Sequence, residues 1–97
     1  MDWDLCKTFV AVADTRSFTA AARRLRSSHP TVSRKIAALE TQLGTRLVAR
    51  GADGLALTAE GRTLREHAEA MAAAALRAES AVAAGTTIEV FFPDAAN

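Results

Sequence analysis

At 97 residues the chain suits one small domain with an appended element, and its modest core is one that dimerisation would enlarge. No apolar run approaches the roughly 18–20 residues of a membrane span, the acidic start Met1-Asp2-Trp3-Asp4 predicts no secretory signal, and the lone Cys6 excludes an internal disulfide and suits a reducing cytoplasm. A net charge of +1 hides an asymmetry: residues 1–65 hold eleven Lys/Arg against six Asp/Glu, whereas residues 66–97 hold one against five, and a basic front half favours a polyanionic partner.

Asp2 can cap a first helix in which Leu5, Phe9 and Val12 share a face, flanked by Cys6 and Ala13. Trp3 reads as a packing or interface residue and Cys6 as buried filler, since no His or Cys lies within helical reach of the thiol. Asp14-Thr15-Arg16-Ser17 breaks the pattern as a turn. A short helix follows over Ser17–Leu25, capped by Ser17 or Thr19, with Phe18, Ala21, Ala22 and Leu25 on one face. Its alanines allow another helix to approach closely.

The connection Arg26-Ser27-Ser28 is so short that the next helix must cross the second one steeply, as in a helix-turn-helix. That third helix carries its own start and stop signals. Ser28 is an N-cap, Pro30 sits in the first turn, where its missing N–H matters little, and Gly44 can take the left-handed conformation that ends helices. Val32, Ile36, Leu39 and Leu43 recur at helical spacing and predict a buried stripe. The opposite side holds Pro30, Arg34, Ala37, Ala38 and Thr41, with Thr31 and Ser33 on its flanks. A small polar face with a cation near its start suits a DNA major groove, where arginine reads guanine. Taken alone, the same pattern also describes a solvated helix face.

After Gly44 the period changes. Arg46–Arg50 and Leu55–Leu57 read as two short strands joined by Gly51-Ala52-Asp53-Gly54, where Asp-Gly tolerates the positive φ of a hairpin turn. Such a hairpin is a wing that reaches toward phosphate, or a structural cover on the core. Thr58 then caps a long helix, with Glu60 in its first turn. Leu64, Ala68, Met71, Ala75, Ala78 and Val82 form a seam for another helix, for which the same helix of a second chain is the simplest partner. Gly85 ends that helix, and Thr86–Phe92 is a β-rich run closed by Pro93-Asp94.

Enzyme chemistry finds no support. His29 and His67 are far apart in the chain, no cluster has metal-ligand spacing, and there is neither a Gly-rich phosphate loop nor a nucleophile with a supporting base. No cofactor is expected. His67 reads as a surface or seam-flanking residue, and His29 as a DNA contact or a local packing residue.

Over residues 1 to about 85 the chain resembles the N-terminal DNA-binding region of LysR-type bacterial transcriptional regulators. The resemblance rests on Phe9–Ala13, Ser17–Leu25, Pro30–Ile36, Leu39-Glu40, Leu43-Gly44, Arg46–Arg50 and Leu57–Gly61, in order and at family-like spacing. It implies a mostly α fold: a winged helix-turn-helix of three helices and a two-stranded wing, then a long linker helix that pairs antiparallel with its dimer mate. The corresponding divisions are 1–58 for the DNA-binding domain, 59–84 for the linker helix and 85–97 for a tail that resembles the start of an effector-binding domain. It also implies a recognition helix over residues 28–43.

Two residues depart from the family pattern. His29 stands where Gln commonly precedes the proline, and neutral imidazole cannot make the bidentate contact that Gln makes to adenine. Asp53 stands near the wing tip where a basic residue is common, which leaves wing contact to Arg50.

The leading expectation is sequence-specific binding of double-stranded DNA by a homodimer in transcriptional control. His29, Pro30, Thr31, Ser33, Arg34 and Arg50 would contact DNA, with Pro30 on a base edge, Arg34 on guanine or phosphate, and Thr31 and Ser33 on phosphates. No membrane partner and no small-molecule effector site are expected of this stretch. The competing expectation is a protein-interaction module that pairs with a related regulator and binds DNA weakly or not at all.

Overall fold

The structure, a computed structural model, describes residues 1–84; the β-rich run at 86–92 lies outside them. In chain order it comprises α1 (Trp3–Thr15), α2 (Phe18–Arg24), α3 (His29–Leu43), β1 (Val48–Gly51), β2 (Gly54–Leu57) and α4 (Ala59–Ala84). This is a winged helix-turn-helix followed by a long helix. Helices α1, α2 and α3 pack pairwise around Phe9, Val12, Ala21, Ala22, Val32, Ile36 and Leu39, and Leu47, Val48 and Leu57 close the same core from the wing side.

Each of the first three helices begins with the side chain that the sequence nominates. Asp2 accepts from the Asp4 amide, Ser17 from the Ala20 amide and Ser28 from the Thr31 amide. Ser17, and not Thr19, is the cap of α2. Two helix ends turn on arginine in the left-handed conformation, Arg16 and Arg26, each at φ 55°. Arg26 occupies the position where glycine is usual: its amide bonds to Arg23 and the next amide, of Ser27, to Ala22, so the turn is closed by backbone despite its strained residue. Arg16 offsets its strain with its own side chain, whose Nε donates to the Ala13 carbonyl at 3.0 Å. Helix α1 runs through Thr15, so the turn expected from Asp14 onward is confined to Arg16 and Ser17.

Cys6 is fully buried, and burial pushes its thiol up, as expected of filler. The Lys35 ammonium, 2.8 Å from Asp4, ties the start of α1 to α3 and holds the Asp4 carboxyl below the usual carboxylate range. That pair contributes at neutral pH and fades as pH falls through the lowered value; exposure keeps the contribution small. Asp14 receives both Arg24 and Arg65, each at 3.1 Å, and so joins the end of α1 to α2 and α4.

The wing differs from expectation in its limits and its turn. The strands pair antiparallel from Val48↔Leu57 to Gly51↔Gly54, so Arg46 and Leu47 precede the ladder. Positive φ in the turn falls on Gly54 at 104° and not on Asp53. The hairpin therefore needs its glycine just after Ala52-Asp53. Leu43, expected at the end of the buried stripe of α3, is 40% exposed, because the helix ends there beyond the reach of α1 and α2.

Helix α4 packs on α1 and β2, and the segment before β1 is threaded beneath its start. Thr58 caps α4 by accepting from the Gly61 amide at 3.0 Å, while its hydroxyl donates to the Arg46 carbonyl at 2.7 Å and its amide to the Leu47 carbonyl at 3.0 Å. Gly61 is buried against that Leu47 carbonyl, and a Cβ there would collide with backbone. Ala68 is fully covered, and Leu64 packs against the core. That removes Ala68 from the surface open to a second helix and leaves Leu64 largely occupied by its own chain. Of the other expected seam positions, Met71, Ala78 and Val82 are exposed and Ala75 is half-buried.

Gly61→Ala is therefore expected to lower stability by about 1–3 kcal/mol, because neither the Leu47 carbonyl nor the helix backbone can yield cheaply. Urea unfolding of the variant checks this, and an unchanged midpoint would show that the close approach is not needed.

Candidate nucleic-acid interface

The first turn of α3 holds a short chain of side-chain bonds. Ser28 Oγ donates to Thr31 Oγ1 at 3.0 Å, and Arg34 Nη2 donates to the same oxygen at 3.2 Å. Both lone pairs of the Thr31 hydroxyl are thus engaged, which leaves its hydrogen as the group it can offer outward. The same bond steadies the exposed Arg34 guanidinium and leaves most of its donors free. Pro30 is exposed on the same turn.

His29 and Ser33 face the wing. The His29 ring stands edge-on to Phe18, with centroids 5.4 Å apart and planes at 85°. It lines a cleft of about 320 Å³ together with Arg16, Ser17, Thr19, Arg50 and Gly51. His29 is therefore both packed locally and open to solvent, so the two sequence readings of it are compatible. Ser33, half-buried, lines an adjoining cleft with Ala37, Glu40, Ala49 and Arg50. Arg50 borders both clefts.

The wing is held against α3 by one carboxylate. Glu40 Oε2 accepts from the Leu47 amide at 2.7 Å and the Val48 amide at 3.3 Å, and lies 3.5 Å from Arg46 Nε. Its side chain is only 15% exposed. A charged acceptor shared by two amides at the root of β1 sets where Arg50 stands relative to α3.

Arg24, Lys35, Arg46 and Arg65 each meet a carboxylate within the chain. Among the described residues Lys7, Arg16, Arg23, Arg26, Arg34, Arg50, Arg62 and Arg77 do not, and of these Arg16, Arg34 and Arg50 stand around the start of α3 and the wing. Asp53 at the wing tip is exposed and lines neither cleft. The sequence pattern points to Arg34 and Arg50 but not to Arg16, which it places only in the turn Asp14-Thr15-Arg16-Ser17. The cap at Ser17 was the available signal, since it put residue 16 at the start of α2. Its proximity to His29 and the wing is tertiary.

Residues 3–62 match the bacterial regulatory helix-turn-helix proteins of the LysR family. The chain belongs to the LysR family. A probable hydrogen peroxide-inducible genes activator of Mycobacterium avium is 47% identical over 81 residues, which cover 84% of this chain and 26% of that protein. The LysR resemblance extends to solved structures. A CbnR DNA-binding domain crystallised with DNA superposes with a TM-score of 0.78 at 36% identity, covering 88% of this chain and 98% of that one. A BenM DNA-binding domain bound to catB site 1 DNA gives 0.80 at 33% identity, covering 84% and 92%. This chain spans about a quarter of the length of the curated LysR relatives it matches.

Glu40→Ala leaves two amides at the root of the wing without their acceptor, and is expected to cost about 1.5–3 kcal/mol. Chemical unfolding measures the loss, and amide hydrogen exchange at Leu47 and Val48 should accelerate. Unchanged exchange at both would show that the wing is held by other means.

Proposed function

We propose that this chain binds double-stranded DNA sequence-specifically as a homodimer in transcriptional regulation, with α3 in the major groove. The observation that carries the reading is the local charge: Arg16, Arg34 and Arg50 meet no carboxylate among the described residues and stand around the start of α3 and the wing, where a polyanion could meet them. The DNA complexes of the similar CbnR and BenM domains support it. In this reading Arg34 meets a guanine edge or a phosphate, and Pro30 packs on a base edge or a thymine methyl. The Thr31 hydroxyl and Ser33 hold phosphates, and His29 and Arg50 bind along the wing side. Residues 1–58 are then the DNA-binding domain and 59–84 the linker helix.

Pairing through α4 is the second part of the proposal. Met71 and Val82 are large apolar side chains, 40% and 59% exposed, on a helix that runs well past its own core. A second copy of α4 lying along it would cover them, with Ala75 and Ala78 allowing close approach. Two linked recognition helices then meet half-sites separated by whole turns of DNA.

The test begins with a duplex enriched from a random-sequence pool by the full chain. Arg34→Ala is expected to weaken binding to that duplex by about 1–3 kcal/mol by fluorescence anisotropy, with smaller loss on an unrelated duplex if the contact is to a base. Affinity should fall steeply with added salt. Unchanged affinity in the variant would remove Arg34 from the interface. Binding that appears only after mixing with a related regulator would favour a protein-interaction module instead.

A further inference from the structure

We infer that the cleft formed by Arg16, His29 and Arg50 is a seat for one DNA phosphate, and that His29 takes up a proton when the seat is filled. The inference rests on the DNA-binding reading above and assigns one site within it.

Three separate parts of the fold supply the seat: Arg16 from the turn after α1, His29 from the start of α3, and Arg50 from β1. The remaining polar lining is Ser17 and Thr19, and among the described residues no carboxylate lines the cleft. Neither arginine is committed to an acid among the described residues. Arg16 is also steadied by the bond from its Nε to the Ala13 carbonyl, which leaves its terminal nitrogens free to donate. A pocket with two free guanidiniums and no acid selects an anion, and its size suits a single phosphate group with its waters.

The imidazole is what makes the seat sensitive to pH. Phe18 holds the ring edge-on, so His29 cannot swing away from an occupant without losing that contact. A phosphate there sets negative charge beside the imidazole and favours its doubly protonated form, in which both nitrogens donate. Among the described residues the charged groups lining the cleft with His29 are Arg16 and Arg50, which oppose a charge on the ring until a phosphate offsets them, and Ser17, Phe18 and Thr19 are uncharged. Proton uptake on binding means, by linkage, tighter binding as pH falls. A glutamine at this position has no such property.

The experiment measures affinity of the full chain for the enriched duplex between pH 6.0 and 8.0 at constant ionic strength, in the same assay for His29→Gln, His29→Lys and His67→Gln. The chain and its His67→Gln variant are expected to bind roughly three- to tenfold more tightly at the acid end. His29→Gln should be flat, and His29→Lys flat and tight, since its charge is permanent. Arg16→Asn, which tolerates the left-handed turn, should lower the salt slope by about one phosphate contact. A flat profile for the unaltered chain, or a slope that survives in His29→Gln, overturns the proton-coupled seat while leaving DNA binding intact. An unchanged salt slope in Arg16→Asn overturns the phosphate assignment. Failure to bind any duplex at any pH overturns the DNA-binding reading itself.

Discussion

Everything that presents the start of α3 beside the wing depends on the short segment Arg46-Leu47-Val48. Its amides are taken from one side by the Glu40 carboxylate, and its carbonyls from the other by the hydroxyl and amide of Thr58. Because Glu40 belongs to α3 and Thr58 caps α4, three elements meet on three residues of backbone. Gly61 lets α4 come down onto the Leu47 carbonyl, and Leu47 and Val48 put their side chains into the core. Without that clamp the hairpin would be a two-stranded ribbon too small to hold its own position.

The second organising feature is the use of charge. Surface pairs such as Asp4–Lys35 and Asp14–Arg65 are worth little individually. What matters more is that Arg16, Arg34 and Arg50, around the start of α3 and the wing, meet no carboxylate among the described residues. Arg16 and Arg50 lie far apart in sequence and line one cleft because α1 ends in a left-handed turn and the wing folds back toward α2. The modest net charge of +1 would otherwise argue weakly for a polyanion partner. Local arrangement, not total charge, carries that argument.

The elements governed by local chemistry were legible. Asp2, Ser17, Ser28, Thr58 and Gly44 act as caps where their side chains or backbone freedom predict, and Val32, Ile36 and Leu39 form the buried stripe. What could not be read depends on contacts across the fold. Glu40 looks like any exposed acid on a helix until Leu47 and Val48 are brought to it. Gly61 looks like a poor helix residue until the Leu47 carbonyl lies against it. Ala68 fits a heptad seam perfectly well, yet its own chain covers it, because periodicity tells which residues share a face and not what covers that face. For the interface, Arg34, Arg50 and the α3 start were nominated from the sequence together with the family pattern, and Arg16 required the structure.

In the proposed function one face, made by the α1–α2 turn, the first turns of α3 and the wing, receives DNA. The direct measurement is an amide chemical-shift titration of the isotopically labelled chain with the enriched duplex. Shifts concentrated at residues 16–19, 28–34 and 49–54 are the predicted result. Shifts concentrated along 70–84 with that face unperturbed would contradict it.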